Sequence, residues 1–148
     1  WSSDVCSSDL RYKEMVTLVK RDMFYFADID EKFIYNTKNI EGLEDGVLVH
    51  CQQCIEKNLK GIITKKYGVV NREHNLVKLL ETLYLSDFPK LKEYKGLCRE
   101  LKDFYFSRRY ASDDYEILDH NEYEEYLERF FELLNELKEI RKSMELPQ

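Results

Sequence analysis

The sequence predicts an all-α fold, an antiparallel bundle of four to five helices, and three observations carry that reading. The 148 residues include only five glycines and two prolines, too few breakers for the many turns of an all-β chain. Apolar residues recur at spacings of three and four along most of the length. The connections between these periodic stretches are short, so neighbouring helices can pack antiparallel. Hydrophobic residues at 43% and charged residues at 35% suit a single core beneath a heavily charged surface.

The first helix is expected from about Arg11 to Asn36, with Met15, Leu18, Val19, Phe26, Ile29 and Phe33 along one apolar stripe. Gly42 marks a turn. The second runs from about Leu43 to Tyr67, where Leu48, Cys51, Ile55, Leu59 and Ile62 keep helical spacing, and Gly68 suits a left-handed cap. The third spans roughly Asn71 to Leu85, with Asn71 and Asn75 as rival N-caps before Leu76, Leu79, Leu80 and Leu83. Asp87-Phe88-Pro89 interrupts the chain and opens a fourth helix to about Ser107, with Pro89 in its first turn. That helix carries Leu91, Tyr94, Leu97, Cys98, Leu101, Phe104 and Tyr105. After a polar loop from Arg108 to His120, Asn121 is expected to cap a last helix with Tyr126, Leu127, Phe130, Phe131, Leu134, Leu137 and Ile140 on its apolar face.

Residues 1–10 contain the near-repeat Ser2-Ser3-Asp4-Val5-Cys6 and Ser7-Ser8-Asp9-Leu10, unlike anything downstream, and read as non-native sequence. Residues 11–148 are then expected to form one helical domain. No apolar run approaches the ~20 residues that span a bilayer, and Trp1 to Leu10 lacks the basic start and apolar stretch of a secretion signal. A soluble, cytoplasmic protein with no membrane partner and reduced cysteines is expected. Net charge is -6 but uneven. From Asp113 to Gln148 there are 12 acidic and 4 basic residues, whereas the preceding residues carry 17 acidic and 19 basic. A polyanion should therefore bind away from the last helix.

Gln53, Glu56, Lys57 and Lys60 fall on one face of the second helix. They could offer amide and ammonium donors to a phosphate, with Glu56 orienting a base or an arginine. The plainer alternative is a solvated face whose Glu56–Lys60 pair adds only ~0.3–0.5 kcal/mol. Arg109, doubled by Arg108 and followed by Tyr110, could grip a phosphate bidentately while the tyrosine stacks on a base. Equally, Arg109 could turn inward and pair with Glu56. His74 could donate to a phosphate or move a proton, or simply cap the third helix or bond a loop carbonyl. His50 and His120 belong to no recognisable triad. Cys51-Gln52-Gln53-Cys54 has the gap of a zinc or redox pair, but lacks a second pair or a βαβ setting, so both thiols are expected to pack in the core. The glutamates of the last helix form a solvent-facing charge run. No metal and no cofactor is expected.

The run His50-Cys51-Gln52-Gln53-Cys54-Ile55-Glu56-Lys57-Asn58-Leu59-Lys60 resembles the signature helix of HEPN domains (higher eukaryotes and prokaryotes nucleotide-binding): two glutamines, two small or apolar residues, Glu-Lys, any residue, then Leu-Lys. Three further marks follow the family's order. Ala27 with Asp30 resembles the first-helix Ala and Asp. His74-Asn75-Leu76 is similar to His-Asp-Leu with Asn for Asp, and Arg109-Tyr110-Ala111 to Arg-Tyr-Pro with Ala for Pro. The resemblance spans roughly Phe24 to Ile140. It implies a HEPN-like helical bundle that self-associates as a homodimer or higher oligomer. It also implies an association with nucleotides or RNA, often beside a small nucleotidyltransferase in toxin–antitoxin and defence systems.

Some family members are metal-independent ribonucleases, with an Arg and a His separated by four to six residues. That motif is absent: one residue separates Arg72 from His74, and ten separate Arg109 from His120. The sequence therefore points to a module binding nucleotide or RNA through Gln53, Glu56, Lys57, Lys60, His74, Arg108, Arg109 and Tyr110, without the ribonuclease pair. Two alternatives stand beside it. One is an endoribonuclease that brings Arg109 together with His74 or His120. The other is a non-enzymatic helical oligomerisation protein.

Overall fold

The computed structural model describes residues 22–107 and 118–145. These form α1 (Met23–Thr37), α2 (Glu44–Tyr67), α3 (Leu76–Tyr84), a 3-10 helix (Pro89–Tyr94), α4 (Lys95–Ser107) and α5 (His120–Glu145). No strand occurs among the described residues. The expected all-α bundle is the fold that forms.

Its axis is α2, which packs against all four other helices. A helix surrounded in this way must bury more than one face. Besides Leu48, Cys51, Ile55, Leu59 and Ile62, it buries Val47, Cys54 and Ile63, and with them the polar Gln52, Glu56, Asn58 and Lys60. Gly68 terminates it at φ 69°, the left-handed cap that the sequence suggested.

The first helix departs from expectation in two ways. Asp22 is extended and accepts a hydrogen bond from the Tyr25 amide, so a helix starts at Met23 instead of running through from Arg11. The apolar stripe Phe26, Ile29 and Phe33 is exposed, and α1 buries Phe24, Ala27, Asp30 and Ile34 instead. Met15, Leu18 and Val19 lie outside the described residues. Apolar side chains occur all around α1, so spacing admits two stripes and close packing selects one. Ala27 fits where the Cys54 thiol reaches its carbonyl at 3.5 Å, and Gly61 of α2 leaves room for the Phe24 ring.

Local chemistry sets the remaining boundaries. Asn75, not Asn71, caps α3, its side chain accepting from the Val77 and Lys78 amides. Asn71 instead accepts from the Glu73 amide in a short turn. Pro89 opens the 3-10 helix, which passes into α4 at Lys95. Asp119 and Glu122 form a reciprocal capping box at the start of α5, so Asn121 is not the cap and His120 is already helical.

α5 seals the bundle with Leu127, Phe130, Leu133, Leu134 and Leu137. Near its end, Arg141 donates to both Asp28 carboxylate oxygens at 2.7 and 3.1 Å and to Asn58 Oδ1 at 3.1 Å, and it lies over the Phe24 ring. One guanidinium thus ties α5 to α1 and α2. Most glutamates on α5 face solvent, as expected. Cys51, Cys54 and Cys98 are buried free thiols packed in the core. Burial pushes the Cys98 thiol up to about 12 and raises Cys51 and Cys54 as well.

Candidate functional site in the cleft beside α2

The polar face of α2 opens into a cleft of about 500 Å³ lined by Met23, Gln52, Gln53, Glu56, Lys57, Lys60, His74, Tyr105 and Phe106. That volume falls within the range that small-molecule sites occupy. α2 supplies the charges, the loop before α3 supplies His74, and the end of α4 supplies two aromatic rings.

Two buried carboxylates organise the charges. Glu56, 5% exposed, receives His74 Nδ1 at 2.7 Å and Lys60 Nζ at 3.2 Å on one oxygen, and Gln53 Nε2 at 3.2 Å on the other. A carboxylate only accepts, so His74 Nδ1 carries the proton and the ring's other nitrogen, Nε2, is its remaining polar atom. The 3.4 Å approach of Lys60 to the same Nδ1 is then proximity between two donors, and Glu56 is the acceptor for both.

Asp30 of α1, also 5% exposed, receives His50 Nδ1 at 2.9 Å and Lys57 Nζ at 2.5 Å. Phe33 stacks on the His50 ring at 3.8 Å between centroids. The site is thus two repeats of one unit, a buried carboxylate holding one lysine and one histidine. Every buried polar side-chain atom among the described residues has a partner. Lys60 and Glu56 are both buried, so removing one of them costs ~3–5 kcal/mol, while the more exposed His50, Lys57 and His74 tie α1 and the loop before α3 to α2 at smaller cost.

The sequence model of one protein family, described as the HEPN domain, matches residues 35–140, well over half of the chain. The chain belongs to the HEPN family. No curated protein and no solved structure is significantly similar to it. Membership associates this HEPN chain with nucleotides or RNA at the level of the family. No helix among its described residues is long and apolar enough to cross a membrane.

In this HEPN domain Gln53, Glu56, Lys57, Lys60 and His74 converge on one cleft. The solvated-face alternative for α2 is corrected: Lys60 is 7% exposed and its pair with Glu56 is internal. His74 does not cap α3, because Asn75 does. Arg108, Arg109 and Tyr110 lie outside the described residues. His120 sits elsewhere, highly exposed in a hollow with Glu41, Glu44, Asp45 and Asp119. His74 and His120 therefore line separate hollows.

Sequence reasoning gave no site role to His50, or to Asp30 (named there only within the family resemblance), the two residues that with Lys57 make the second unit, nor to Met23, Gln52, Tyr105 and Phe106. A signal for His50 was present, since His50, Gln53 and Lys57 at i, i+3 and i+7 lie along one helical face. Asp30 gave no such signal, because pairing across two helices leaves no spacing within either.

Proposed function

We propose that this HEPN domain binds a nucleotide or RNA in the α2 cleft and works as a binding module, not as a ribonuclease of the usual Arg–His type. The observation that carries the reading is the convergence of Lys57, Lys60, His74 and Gln53 beside Tyr105 and Phe106. Ammonium, imidazole and amide donors suit phosphate oxygens, and aromatic rings suit the face of a base. Arg108 and Arg109 follow Phe106 by two and three residues in sequence and extend the basic character of this segment. The acidic run of α5 keeps polyanions to the opposite charge environment.

Titration of the full chain with labelled mononucleotides and a structured RNA tests the proposal. Binding is expected, and Lys57→Gln should weaken it ~10-fold, the worth of one charge-assisted hydrogen bond. Absence of binding to every nucleotide and RNA tried would remove the reading. A small nucleotidyltransferase, in a toxin–antitoxin or defence setting, is the proposed protein partner. A gene for such an enzyme adjacent to this one, with co-purification of the two products, is the expected result.

A second reading, self-association, rests on α1. Phe26, Ile29 and Phe33 leave an apolar stripe exposed among the described residues, with Ile29 at 47%. A homodimer through this stripe predicts that Ile29→Lys shifts the sedimentation coefficient towards a monomer. A wild-type monomer at all concentrations would count against it.

A further inference from the structure

The cleft contains a buried amide whose donor the fold does not use. Gln52 is 2% exposed and lines the cleft beside Gln53. Gln53 Nε2 donates one hydrogen to Glu56 Oε2 at 3.2 Å and the other to Gln52 Oε1 at 2.6 Å. A carboxylate only accepts, so Glu56 fixes which way the Gln53 amide faces, and Gln53 in turn fixes Gln52. One buried carboxylate thus sets both orientations.

Two groups are left over. Gln53 has both amide hydrogens engaged, and its Oε1 is still an acceptor. Gln52 turns its oxygen to Gln53, and its Nε2 donates to no described residue. Every fully buried polar side-chain atom among the described residues has a partner, so this Nε2 reaches the open space of the cleft. An amide held in so buried a side chain loses free energy unless a ligand or water takes up its hydrogens. The result is one donor beside one acceptor in a fixed order. Phe106 lines the same cleft with an exposed ring, edge-on to Tyr105 at 5.4 Å between centroids.

We infer that the cleft reads the hydrogen-bonding edge of one unpaired nucleobase through Gln52 Nε2 and Gln53 Oε1, with the face of the base against Phe106. The inference rests on the nucleotide or RNA reading above and names the part of the ligand that is recognised. The Watson–Crick edge of every base sets a donor next to an acceptor, the complement of this pair. A duplex uses that edge on the opposite strand, whereas a free nucleotide or an unpaired base in RNA presents it. A cleft of about 500 Å³ has room for one small molecule, and a base-paired helix does not enter it.

Because Glu56 holds both amides, the pair does not turn over to suit an edge of the opposite order. Adenine offers an amino donor next to a ring acceptor. Hypoxanthine, with the same two rings, offers a carbonyl acceptor next to a ring N–H. A base tethered through its sugar presents its edge in one order, so one of these two fits worse. A stacking surface alone does not make that distinction.

Titration calorimetry of the full chain tests this with adenosine monophosphate, inosine monophosphate and ribose 5-phosphate, which has no base. Short oligoadenylate and oligoinosinate are the RNA probes, the first also annealed to oligouridylate. Affinities for the adenine and hypoxanthine ligands are expected to differ by at least ~10-fold, which one well-placed hydrogen bond contributes. Ribose 5-phosphate and the duplex are expected to bind at least ~10-fold more weakly than the better unpaired base.

Gln52→Met keeps the length of the side chain without its donor, and should bring the adenine-to-hypoxanthine ratio within ~3-fold of unity. A weakening of all ligands together, with the ratio unchanged, overturns the assignment of Gln52. If the variant is unfolded, the wild-type chain labelled with isotopic glutamine gives the same reading. Its Gln52 side-chain amide signals should shift with the better nucleotide and stay in place with ribose 5-phosphate.

Equal affinity for the adenine and hypoxanthine ligands overturns this inference and leaves the binding function standing. Binding of ribose 5-phosphate or the duplex as tight as that of the unpaired bases does the same. No binding of any probe overturns both.

Discussion

Glu56 shows how much one side chain contributes when it is buried among charges. It accepts from His74, Lys60 and Gln53, three groups that all line the cleft. Glu56→Gln leaves the Lys60 ammonium, 7% exposed, without an anion. The expected loss is ~3 kcal/mol of unfolding free energy, read from urea denaturation. Replacing both members of the pair, as Glu56→Gln with Lys60→Met, should recover most of that loss, because no uncompensated charge then remains. Equal destabilisation by the single and double variants would show that the pair is not the internal charge compensation described. Asp30 holds the equivalent position for His50 and Lys57.

Between elements, the α1–α2 contact depends on a residue with no side chain. A Cβ built at Gly61 would meet the Phe24 ring at 2.5–3.0 Å, and the Arg141 guanidinium lies over that ring at 4.4 Å from its centroid. Alanine favours a helix by ~1 kcal/mol over glycine, yet Gly61→Ala should destabilise by ~1–3 kcal/mol, since overpacking outweighs propensity here. Phe24→Leu in the same chain should return part of that loss, giving a measurable coupling energy in a double-mutant cycle. A stabilised Gly61→Ala variant would mean that the ring moves freely and the contact is loose. The same contact explains why Ala27 and Phe24, and not Phe26 and Ile29, face inward.

Across the whole molecule, buried thiols set an alkaline limit. Cys98 moves from an ordinary value of 9.0 up to about 12, and Cys51 and Cys54 are raised by the same loss of hydration. Below pH 9 these thiols are protonated in both folded and unfolded chains, so their contribution is fully present. Between pH 9 and 12 the unfolded chain releases protons that the fold retains, and stability falls as pH rises. Urea midpoints should therefore drop from pH 8 to pH 11, and alkylation of these three cysteines at pH 8 should proceed only as fast as the chain opens. Midpoints that stay constant over this range would contradict the buried placement.

Sequence alone determined the fold class, the span of α2 with its Gly68 terminator, and the convergence of Gln53, Glu56, Lys57 and Lys60 on one face. These depend on helical periodicity and on the left-handed backbone that glycine tolerates, both local properties of the chain. Tertiary structure decided which stripe of α1 is buried, that Asp119 and not Asn121 caps α5, and that His50 and His74 each meet a carboxylate from another segment. The cap turned on where the helix starts: Asp119 accepts from the Glu122 amide and Glu122 reaches back to the Asp119 amide, a reciprocal pair that places the start before Asn121. The stripe and the two charge units turned on which helix lies opposite. A pairing across twenty residues, such as Asp30 with His50, is written into no single helix and appears only when two of them pack.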